Sequence, residues 1–373
     1  MGERIVVGMS GGVDSAVAAA LLVEQGYDVV GVTLNLSPQT AEEEGWERDD
    51  SCCGLAASED ARRVADCLGF PHYVLNFRDV FAEKVIANFL DEYRHGRTPN
   101  PCIRCNDHIK FGTVLIKARA LEADLVATGH YARVETDPVT GRRVLRKAAD
   151  LRKDQSYVLY VLSQDELRRT MFPLGEMTKD QTREVARKLN LPVANKPESM
   201  DICFVSERNY GDFLKKLAPD VAQPGPIVHL DGRVLGEHRG IAFYTIGQRR
   251  GLGVVSPDPL FVVDLDPEQR TVYVGPEEAL FDSDVYADEV NLVAAGDLTE
   301  PRLVRARTRY RMTEAEAWVQ QSGPDELHLR FAEPQRAITP GQAVVCYDGD
   351  VVIAGGTIKA TSRSRVAALA GAR

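Results

Sequence analysis

The sequence RIVVGMSGGVDSAVAAALLVEQGYDVVGVTLNL, residues 4–36, decides the fold of the N-terminal part of the chain. Arg4 to Gly8 is a short apolar run that predicts a buried strand. Ser15 to Gln25 is rich in alanine and leucine, and it predicts a helix that ends at Gly26, a suitable C-terminal cap. A second strand is predicted from Asp28. A strand, a helix and a strand in this order are typical of a parallel sheet covered by helices.

The same alternation continues to about residue 210. Glu59 to Leu68 carries apolar residues at the helical spacing i, i+3, i+4 and i+7. Further helices are predicted over 79–93 and 109–121, and further strands over 73–77 and 124–131. From about Gly225, short β-rich runs such as PIVHL, FVVDL and TVYVG are separated by turn residues. We therefore predict an α/β domain over residues 1–210, a central β-rich domain over 211–285 and a C-terminal β-barrel domain over 286–373.

Composition narrows the class of protein. The chain has 373 residues, a net charge of -10 and a 44% hydrophobic share, the balance of a globular chain of roughly two or three domains. No stretch approaches the ~20 apolar residues of a membrane span, and the N-terminus lacks a cleavable leader. We therefore expect a cytoplasmic protein without a membrane partner. Seven cysteines, unevenly spaced, do not make a disulfide framework.

The loop after the first strand is rich in glycine and hydroxyl groups. Residues 8–15 read GMSGGVDS and stand between strand and helix, where backbone N–H groups form an anion site suited to phosphate. The lysine of a Walker loop and the glycine spacing of a dinucleotide loop are both absent. A tight turn that merely needs glycine is the alternative interpretation. Ser10, Asp14 and Ser15 favour a nucleotide site, since their side chains can orient phosphates and a Mg²⁺ ion, with Asp14 as the candidate ligand.

Three cysteines form a second group of candidate functional residues. Cys102 and Cys105 form a C-x-x-C motif in GRTPNPCIRCN, where two prolines predict an irregular loop before a helix resumes at Ile109. Cys203 follows in ESMDICF. Three interpretations are open. The motif can be half of a zinc site whose other half is the Cys52–Cys53 pair, a thioredoxin-type redox pair, or part of an iron–sulfur cluster. A thioredoxin-type pair opens a helix in a much smaller fold, which this context lacks.

Six segments together resemble one family. SGGVDS after a first strand is similar to the PP-loop of ATP pyrophosphatases, which have an adenine nucleotide α-hydrolase-like fold. GMSGGVDSAV, GRTPNPCIRCN, ATGHYAR, KDQSYVLY, ESMDICF and YTIGQRRGLG, in this order, resemble the tRNA-specific 2-thiouridylases. The resemblance implies ATP-dependent replacement of the C2 oxygen of the wobble uridine by sulfur. It implies ATP binding by the following residues: Gly8, Met9, Ser10, Gly11, Gly12, Val13, Asp14, Ser15, Leu34 and Gly129.

The resemblance also implies roles for the cysteines. Cys203 matches the family's persulfide carrier, and Cys105 matches the partner thiol that forms a transient disulfide with it. Many members have aspartate at the position of Cys102, where it is thought to handle a proton. Here Cys102 either takes that role as a thiol, or all three cysteines hold an iron–sulfur cluster. A persulfide sulfur-donor or relay protein is an implied partner.

A transfer RNA of the Lys, Glu or Gln type is the implied substrate. Residues 304–312, VRARTRYRM, place Arg305, Arg307, Arg309 and Arg311 on one face of a predicted strand, as a stripe that can follow phosphates. A solvated edge strand is the alternative. Tyr310 is the candidate for stacking on a base. With Arg309 and Tyr310, the predicted tRNA contacts are Asn100, Pro101, Cys102, His130, Lys153, Asp154, Gln155 and Gln342.

Two other functions stay open at this point. A PP-loop ligase or synthetase acting on a small metabolite would not need the three cysteines or the arginines. A non-catalytic RNA-binding protein that holds a metal or a cluster would not need SGGVDS.

Overall fold

A parallel five-stranded sheet forms the centre of the first of two compact units. The structure is a computed structural model that describes residues 2–36, 55–197, 203–204 and 210–362. The first unit comprises residues 1–86, 101–209 and 350–352. Its strands are β1 (Arg4–Gly8), β2 (Asp28–Asn35), β3 (His72–Asn76), β4 (Leu125–Thr128), β5 (Ala132–Thr136), β6 (Arg143–Lys147) and β7 (Thr170–Met171). The sheet order is β3-β2-β1-β4-β7, and β5 and β6 pair as an antiparallel hairpin.

The helices follow the alternation that the sequence predicts, and those of the first unit cover its sheet. In chain order the helices are α1 (Val13–Glu24), α2 (Leu55–Leu68), α3 (Arg78–Phe81), α4 (Ala87–Arg94), α5 (Pro101–Arg104), α6 (Val114–Ala120), α7 (Ser156–Leu159), α8 (Gln164–Arg168), α9 (Lys179–Lys188) and α10 (Tyr210–Leu217). Two π-helical segments, Ala82–Ile86 and Cys105–Thr113, follow α3 and α5. Gly26 has a φ of 86° and follows the end of α1, as expected of a C-terminal cap. Within the described part of the chain, no helix is long and apolar enough to cross a membrane.

Buried aliphatic side chains join the sheet to its helices. One core cluster contains Ile5 and Val7 of β1 and Val17 and Leu22 of α1, and all four side chains are fully buried. Successive residues of β1 are buried because helices lie on both faces of the sheet, as in α/β proteins generally. This packing fixes the loop between β1 and α1 at the carboxyl edge of the sheet.

The second unit is mainly β-structure and comprises residues 87–100, 210–349 and 353–373. Four strands, β8 (Gly225–His229), β9 (Val234–His238), β10 (Phe261–Asp266) and β11 (Thr271–Gly275), form a sheet in the order β10-β11-β8-β9. Six more are β12 (Phe281–Leu292), β13 (Arg302–Arg307), β14 (Ala315–Gly323), β15 (Glu326–Arg336), β16 (Ala343–Asp348) and β17 (Val351–Thr361). Their order is β12-β15-β14-β13-β16-β17, and β12 also pairs with β17, which closes a barrel. The predicted α/β fold followed by two β-rich parts is confirmed.

Residues 87–100 belong with the second unit, although the sequence alone assigns them to the N-terminal domain. The Thr98 amide donates to the carbonyl of Pro340 at 2.9 Å. The Gln342 side-chain amide donates to the carbonyls of Thr98 and Pro99 at 2.9 and 3.3 Å. The end of the segment, at Thr98 and Pro99, is thus bonded to residues more than two hundred positions away.

Candidate active site

One cavity of the first unit collects the glycine loop and three cysteines. Its volume is about 340 Å³. Its polar lining residues include Ser10, Asp14, Ser15, Lys110, Thr128, His130 and Gln155, and its apolar lining residues include Val32, Leu34, Leu36, Phe81, Val85 and Val114. Cys102, Cys105 and Cys203 line the same cavity, together with Gly8, Met9, Pro101, Gly129 and Phe204. Residues from separate parts of the sequence therefore meet at the carboxyl edge of the sheet.

The glycine loop is held by hydrogen bonds of its own hydroxyl groups. The Ser15 hydroxyl accepts from the Ser10 amide at 3.1 Å and donates to the carbonyl of Gly12 at 3.2 Å. Gly11 has a φ of 65°, and a Cβ there would lie 2.3 Å from the carbonyl oxygen of Ala57. Both conditions require glycine, because other residues rarely adopt this φ and no backbone atom can give way by that much. The loop thus presents backbone N–H groups at the start of α1 without side chains over them.

Gly129 lets the loop after β4 approach the start of α1. A Cβ at Gly129 would lie 2.6 Å from both the carbonyl carbon of Asp14 and the amide nitrogen of Ser15. The φ of Gly129 is not in the left-handed region, so the requirement for glycine here is steric. The structure therefore gives Gly129 a packing role beside the predicted ATP contact.

Asp14 is engaged by a lysine that the sequence analysis missed. The Lys179 ammonium donates to both carboxylate oxygens of Asp14, at 2.7 and 2.8 Å. The Tyr131 hydroxyl donates to one of those oxygens at 2.9 Å and to the Thr182 hydroxyl at 3.0 Å. Lys179 is the first residue of α9, and its side chain is only 8% exposed. A buried lysine is therefore held against the phosphate loop.

A capping box fixes the start of α9. The Thr178 hydroxyl accepts from the Gln181 amide at 3.2 Å, and the Gln181 side chain accepts from the Thr178 amide at 2.7 Å. This reciprocal pattern, T-x-x-Q, is visible in the sequence and defines where a helix begins. The pattern could have identified Lys179 from the sequence, because it places Lys179 at a helix N-terminus after the last strand of the sheet.

A second lysine reaches the loop from beyond α9. The Lys196 ammonium donates to the carbonyl of Gly11 at 3.1 Å and to the Asp60 carboxylate at 2.6 Å. Nothing in the spacing of the sequence points to Lys196. Both lysines are paired with carboxylates, Lys179 with Asp14 and Lys196 with Asp60, so the amides at the start of α1 are the groups that suit a triphosphate at this end of the cavity.

The residues present do not form a cation site around Asp14. Both of its oxygens are hydrogen-bonded to the Lys179 ammonium, so the carboxylate is already neutralised. Within the described ranges, no group of three or more His, Cys, Asp or Glu residues is placed to hold a metal ion. This geometry favours neither Mg²⁺ on Asp14 nor a cluster held by the three cysteines. The Cys52–Cys53 pair lies outside the described residues.

The C-x-x-C motif opens a helix, which corrects the predicted irregular loop. Helix α5 begins at Pro101, and the π-helical segment follows at Cys105 without a break. Proline suits the first position of a helix, because the amide it lacks would have no partner there and its φ is already helical. Cys102 is exposed and Cys105 is buried, and both are thiols. The two sulfurs thus stand one helical turn apart.

Cys203 is positioned by the aromatic residue that follows it. The Phe204 ring packs edge-on against Phe81 of α3, with 5.5 Å between ring centroids. Phe81 is fully buried. Edge-to-face packing of this kind stabilises a specific arrangement. It holds Cys203, which is partly buried, at the cavity.

His130 is a buried wall of the cavity. Its Nδ1 lies 2.8 Å from the Thr128 hydroxyl, and its ring contacts Phe111 and Phe172. Burial in these apolar surroundings lowers the pKa of His130 well below its ordinary value, and the positive charge of Lys110 lowers it further. His130 is therefore neutral at physiological pH, and a tRNA contact by it stays a prediction.

The K-D-Q segment is a turn stabilised by its aspartate. Asp154 is buried, and its carboxylate accepts from the amides of Ala148 and Ser156 at 3.1 and 3.2 Å and from the Ser156 hydroxyl at 2.9 Å. The Gln155 side chain accepts from the Tyr131 amide at 2.9 Å and lines the cavity. Lys153 is partly exposed. Asp154 therefore shapes the turn that carries Lys153 and Gln155.

The arginine stripe does not form, which corrects the prediction of one strand face. Strand β13 ends at Arg307, so Arg309 and Arg311 lie in the following turn. Arg307 donates to the Glu314 carboxylate at 3.0 and 2.8 Å and lies over the Tyr347 ring. Arg309 donates to the carbonyls of Ile246 and Ala337 at 3.0 and 2.8 Å and to the Thr339 hydroxyl. Arg305 donates to the carbonyl of Glu314 at 2.7 Å, so three of the four arginines are engaged in internal structure.

The other predicted tRNA contacts are divided between the two units. Pro101 and Cys102 line the cavity of the first unit. Asn100, Gln342, Arg309 and Tyr310 belong to the second unit, where Tyr310 is 37% exposed. Contact of these residues with tRNA stays a prediction.

Three family models match consecutive parts of the chain. The tRNA methyl transferase HUP domain matches residues 3–207, and the tRNA methyl transferase PRC-barrel domain matches residues 211–276. The aminomethyltransferase beta-barrel domain matches residues 282–358. The three matched regions correspond in turn to the part of the chain with the parallel sheet, the part with the four-stranded sheet and the part with the barrel.

Curated relatives match over almost the whole length. The tRNA-specific 2-thiouridylase MnmA of Moorella thermoacetica is 52% identical over 358 residues, which cover 96% of this chain and 100% of that protein. The protein of the same name from Symbiobacterium thermophilum is 51% identical over 359 residues, 96% of this chain and 92% of that protein. A solved 4-thiouridine synthetase–RNA complex with bound ATP is 18% identical, with a TM-score of 0.33, over 58% of this chain and 51% of that one.

Proposed function

The chain belongs to the tRNA-specific 2-thiouridylase family, and we propose that it uses ATP to convert the wobble uridine of tRNA, U34, to 2-thiouridine. One observation carries the proposal: the glycine loop with Asp14 and the three cysteines line a single cavity. Adenylation and sulfur transfer act on the same atom of the base in succession, so their groups must share one site. A ligase for a small metabolite has no use for thiols in that place.

The first step activates the uridine. The C2 oxygen attacks the α-phosphorus of ATP, pyrophosphate leaves, and the base carries AMP on that oxygen. The amides at the start of α1 stabilise the negative charge that develops on the phosphates, and Lys179 neutralises Asp14, whose carboxylate would otherwise repel them. We assign Lys179 to this role because it is buried and aimed at the loop.

The second step transfers sulfur from Cys203. The terminal sulfur of a Cys203 persulfide attacks C2, and AMP leaves with the oxygen. The Cys105 thiolate then attacks the Sγ of Cys203, and the electron pair of the broken S–S bond goes to the sulfur that stays on C2. The two thiols are oxidised to a disulfide, and the transferred sulfur is reduced.

The walls of the cavity suit a reactive persulfide. Leu34, Leu36, Phe81 and Val85 line the cavity together with Cys105 and Cys203, and these apolar side chains limit the access of water to the two sulfurs. Cys105 is only 7% exposed. Exclusion of water protects both the persulfide and the adenylated base from hydrolysis.

Three further assignments complete the proposal. The substrates are tRNAs of the Lys, Glu and Gln type, and the target base is splayed into the cavity beside Pro101 and Cys102. A persulfide-carrying donor or relay protein loads Cys203. The compartment is the cytoplasm, where disulfides are transient and catalytic.

Reconstitution with purified protein tests the proposal. Protein, ATP, unmodified tRNA and a persulfide donor should produce 2-thiouridine, AMP and pyrophosphate, as measured by mass spectrometry of digested tRNA. Cys203→Ser and Cys105→Ser should each abolish thiolation, and the matched control Cys67→Ser should retain it, because Cys67 is exposed and lies outside the cavity. Thiolation by the Cys203→Ser protein would refute the persulfide route.

A further inference from the structure

We propose that Cys102 is the resolving thiol that reopens the catalytic disulfide after each turnover. The inference rests on the proposed function. It assigns to Cys102 neither proton transfer nor cluster binding. Its task is to carry the disulfide from the interior of the cavity to a position that an external dithiol can reach.

Cys102 and Cys105 have the spacing of neighbours on one helix face. Cys102 is the second residue of α5, and Cys105 follows it by three positions as the helical run continues. Side chains three apart on a helix have Cβ atoms about 5–6 Å from each other. Disulfides form between Cα atoms 4.4–6.8 Å apart at a Cβ separation of roughly 3.5–4.5 Å, so a small adjustment of the first turn brings the sulfurs together. The exchange therefore needs no movement of distant elements.

The three cysteines at the cavity differ in exposure to solvent. Cys105 is buried, Cys203 is intermediate and Cys102 is exposed, yet all three line the cavity. A side chain that lines a cavity and is also exposed lies at its opening. Reduction of a disulfide requires an approach along the S–S axis, so access decides the rate. A disulfide between Cys105 and Cys203 is poorly accessible, whereas one that includes Cys102 presents a sulfur to solvent.

The exchange balances in atoms and electrons. The Cys102 thiolate attacks the Sγ of Cys105 in the Cys105–Cys203 disulfide. A Cys102–Cys105 bond forms, the Cys105–Cys203 bond breaks, and the electron pair leaves with Cys203, which becomes a thiolate ready for the next persulfide. An external dithiol then attacks the Sγ of Cys102 and is itself oxidised, which returns Cys102 and Cys105 to thiols.

The remaining described cysteines do not fit this role. Cys67 is exposed on α2 but does not line the cavity. Cys346 is fully buried in β16, and burial raises its thiol pKa to about 12. Among the described residues, Cys102 is thus the exposed cysteine at the cavity.

Trapping the disulfide after one turnover tests the inference. Wild-type protein loaded with persulfide is mixed with a limiting amount of tRNA and ATP without reductant, quenched with iodoacetamide and mapped by peptide mass spectrometry. We expect a Cys102–Cys105 disulfide and alkylated Cys203. The Cys102→Ser variant should stop at a Cys105–Cys203 disulfide, whereas Cys67→Ser should match the wild type.

Other patterns overturn the inference. A wild-type Cys105–Cys203 disulfide with alkylated Cys102, or a disulfide that includes Cys52 or Cys53, excludes Cys102 as the resolving thiol. Absence of both 2-thiouridine and any disulfide refutes the proposed function and the inference with it. A separate experiment omits tRNA and equilibrates the protein in mixtures of oxidised and reduced dithiothreitol. If Cys102 and Cys105 form no disulfide in these mixtures, the proposed exchange is refuted while the proposed function stands.

Reduction kinetics separate exchange from proton transfer. The oxidised Cys102→Ser and Cys102→Asp proteins should be reduced by dithiothreitol at least ~10-fold more slowly than the oxidised wild type, because neither side chain can form a disulfide. The carboxylate of Cys102→Asp can still handle a proton, so 2-thiouridine should form in its first turnover. Reduction of Cys102→Asp at the wild-type rate would assign Cys102 to proton transfer and overturn the inference.

Discussion

Replacement of Gly129 by alanine should disable adenylation through backbone displacement. The added Cβ would lie 2.6 Å from the carbonyl carbon of Asp14 and from the amide nitrogen of Ser15, whereas ordinary contact begins near 3.4 Å. Both neighbours are backbone atoms at the start of α1, so neither can rotate away. The loop after β4 or the phosphate loop itself must move by about 0.8 Å.

The magnitude follows from that displacement. Misplacement of catalytic groups by about 1 Å can lower a rate ~100-fold. Overpacking of this kind also destabilises a protein by about 1–3 kcal/mol. We therefore expect kcat/KM for AMP formation to fall about 100-fold, while the protein still folds at 25 °C.

Two other glycines provide graded controls. Gly8→Ala places its Cβ 3.5 Å from the Thr128 side chain, an ordinary contact, and should cost less than ~10-fold. Gly296→Ala has no neighbour within 4 Å and should match the wild type. The assay is release of AMP from labelled ATP in the presence of tRNA, with thermal unfolding measured in parallel. Wild-type AMP release by Gly129→Ala, or an equal loss in Gly8→Ala, would refute the steric reasoning.

Three further outcomes are expected. Lys179→Met should lower AMP release ~100-fold without loss of tRNA affinity, because the unneutralised Asp14 repels the triphosphate; Lys188→Met, on the exposed face of the same helix, is the control, and equal effects of the two would contradict the assignment. Arg307→Ala should destabilise the barrel by about 2 kcal/mol, measured by urea unfolding, because the Glu314 carboxylate loses its two hydrogen bonds from Arg307; a loss of tRNA affinity with unchanged stability would contradict this. Cys346 should resist iodoacetamide at about pH 8 in the native protein, since a thiol whose pKa is raised to about 12 stays protonated there, whereas Cys67 should react; mass mapping of the labelled peptides checks this.

Much of the fold could be predicted because local patterns and packing agree. The apolar run Arg4–Gly8, the helix after it and Gly26 at its end all appear where the sequence predicts them. The glycine loop and the three cysteines could likewise be selected from their residue types, and they line one cavity.

The start of α5 could not be predicted from proline content alone. Proline breaks a helix in its interior but is favoured at its first position, and the sequence does not state which position Pro101 occupies. The same uncertainty led to the rejection of a thioredoxin-type geometry for Cys102 and Cys105.

Long-range pairing accounts for the other differences. Lys179 contacts Asp14 across 165 positions, and Lys196 contacts Gly11 across 185 positions, so no local pattern reveals these contacts, although the capping box marks Lys179 as the first residue of a helix. The alternation of arginines at 305–311 fits a strand, but β13 ends at Arg307, and Arg309 bonds to residues around 246 and 337. Periodicity describes a strand face but not the point at which the strand ends.

The π-helical segment Cys105–Thr113 makes the position of the cysteines sensitive to the number of residues between Cys105 and Val114. The Val114 amide donates to the carbonyl of Ile109, five positions back, where an α-helix would use the carbonyl four back. A one-residue deletion or insertion between Cys105 and Val114 that kept the hydrogen-bond pattern of the segment would turn everything before it by up to about 100° relative to α6. Both cysteines would then point away from the phosphate loop, with every chemical group still present. Homologues in evolution should accordingly tolerate substitutions within 105–113 far better than single-residue deletions or insertions.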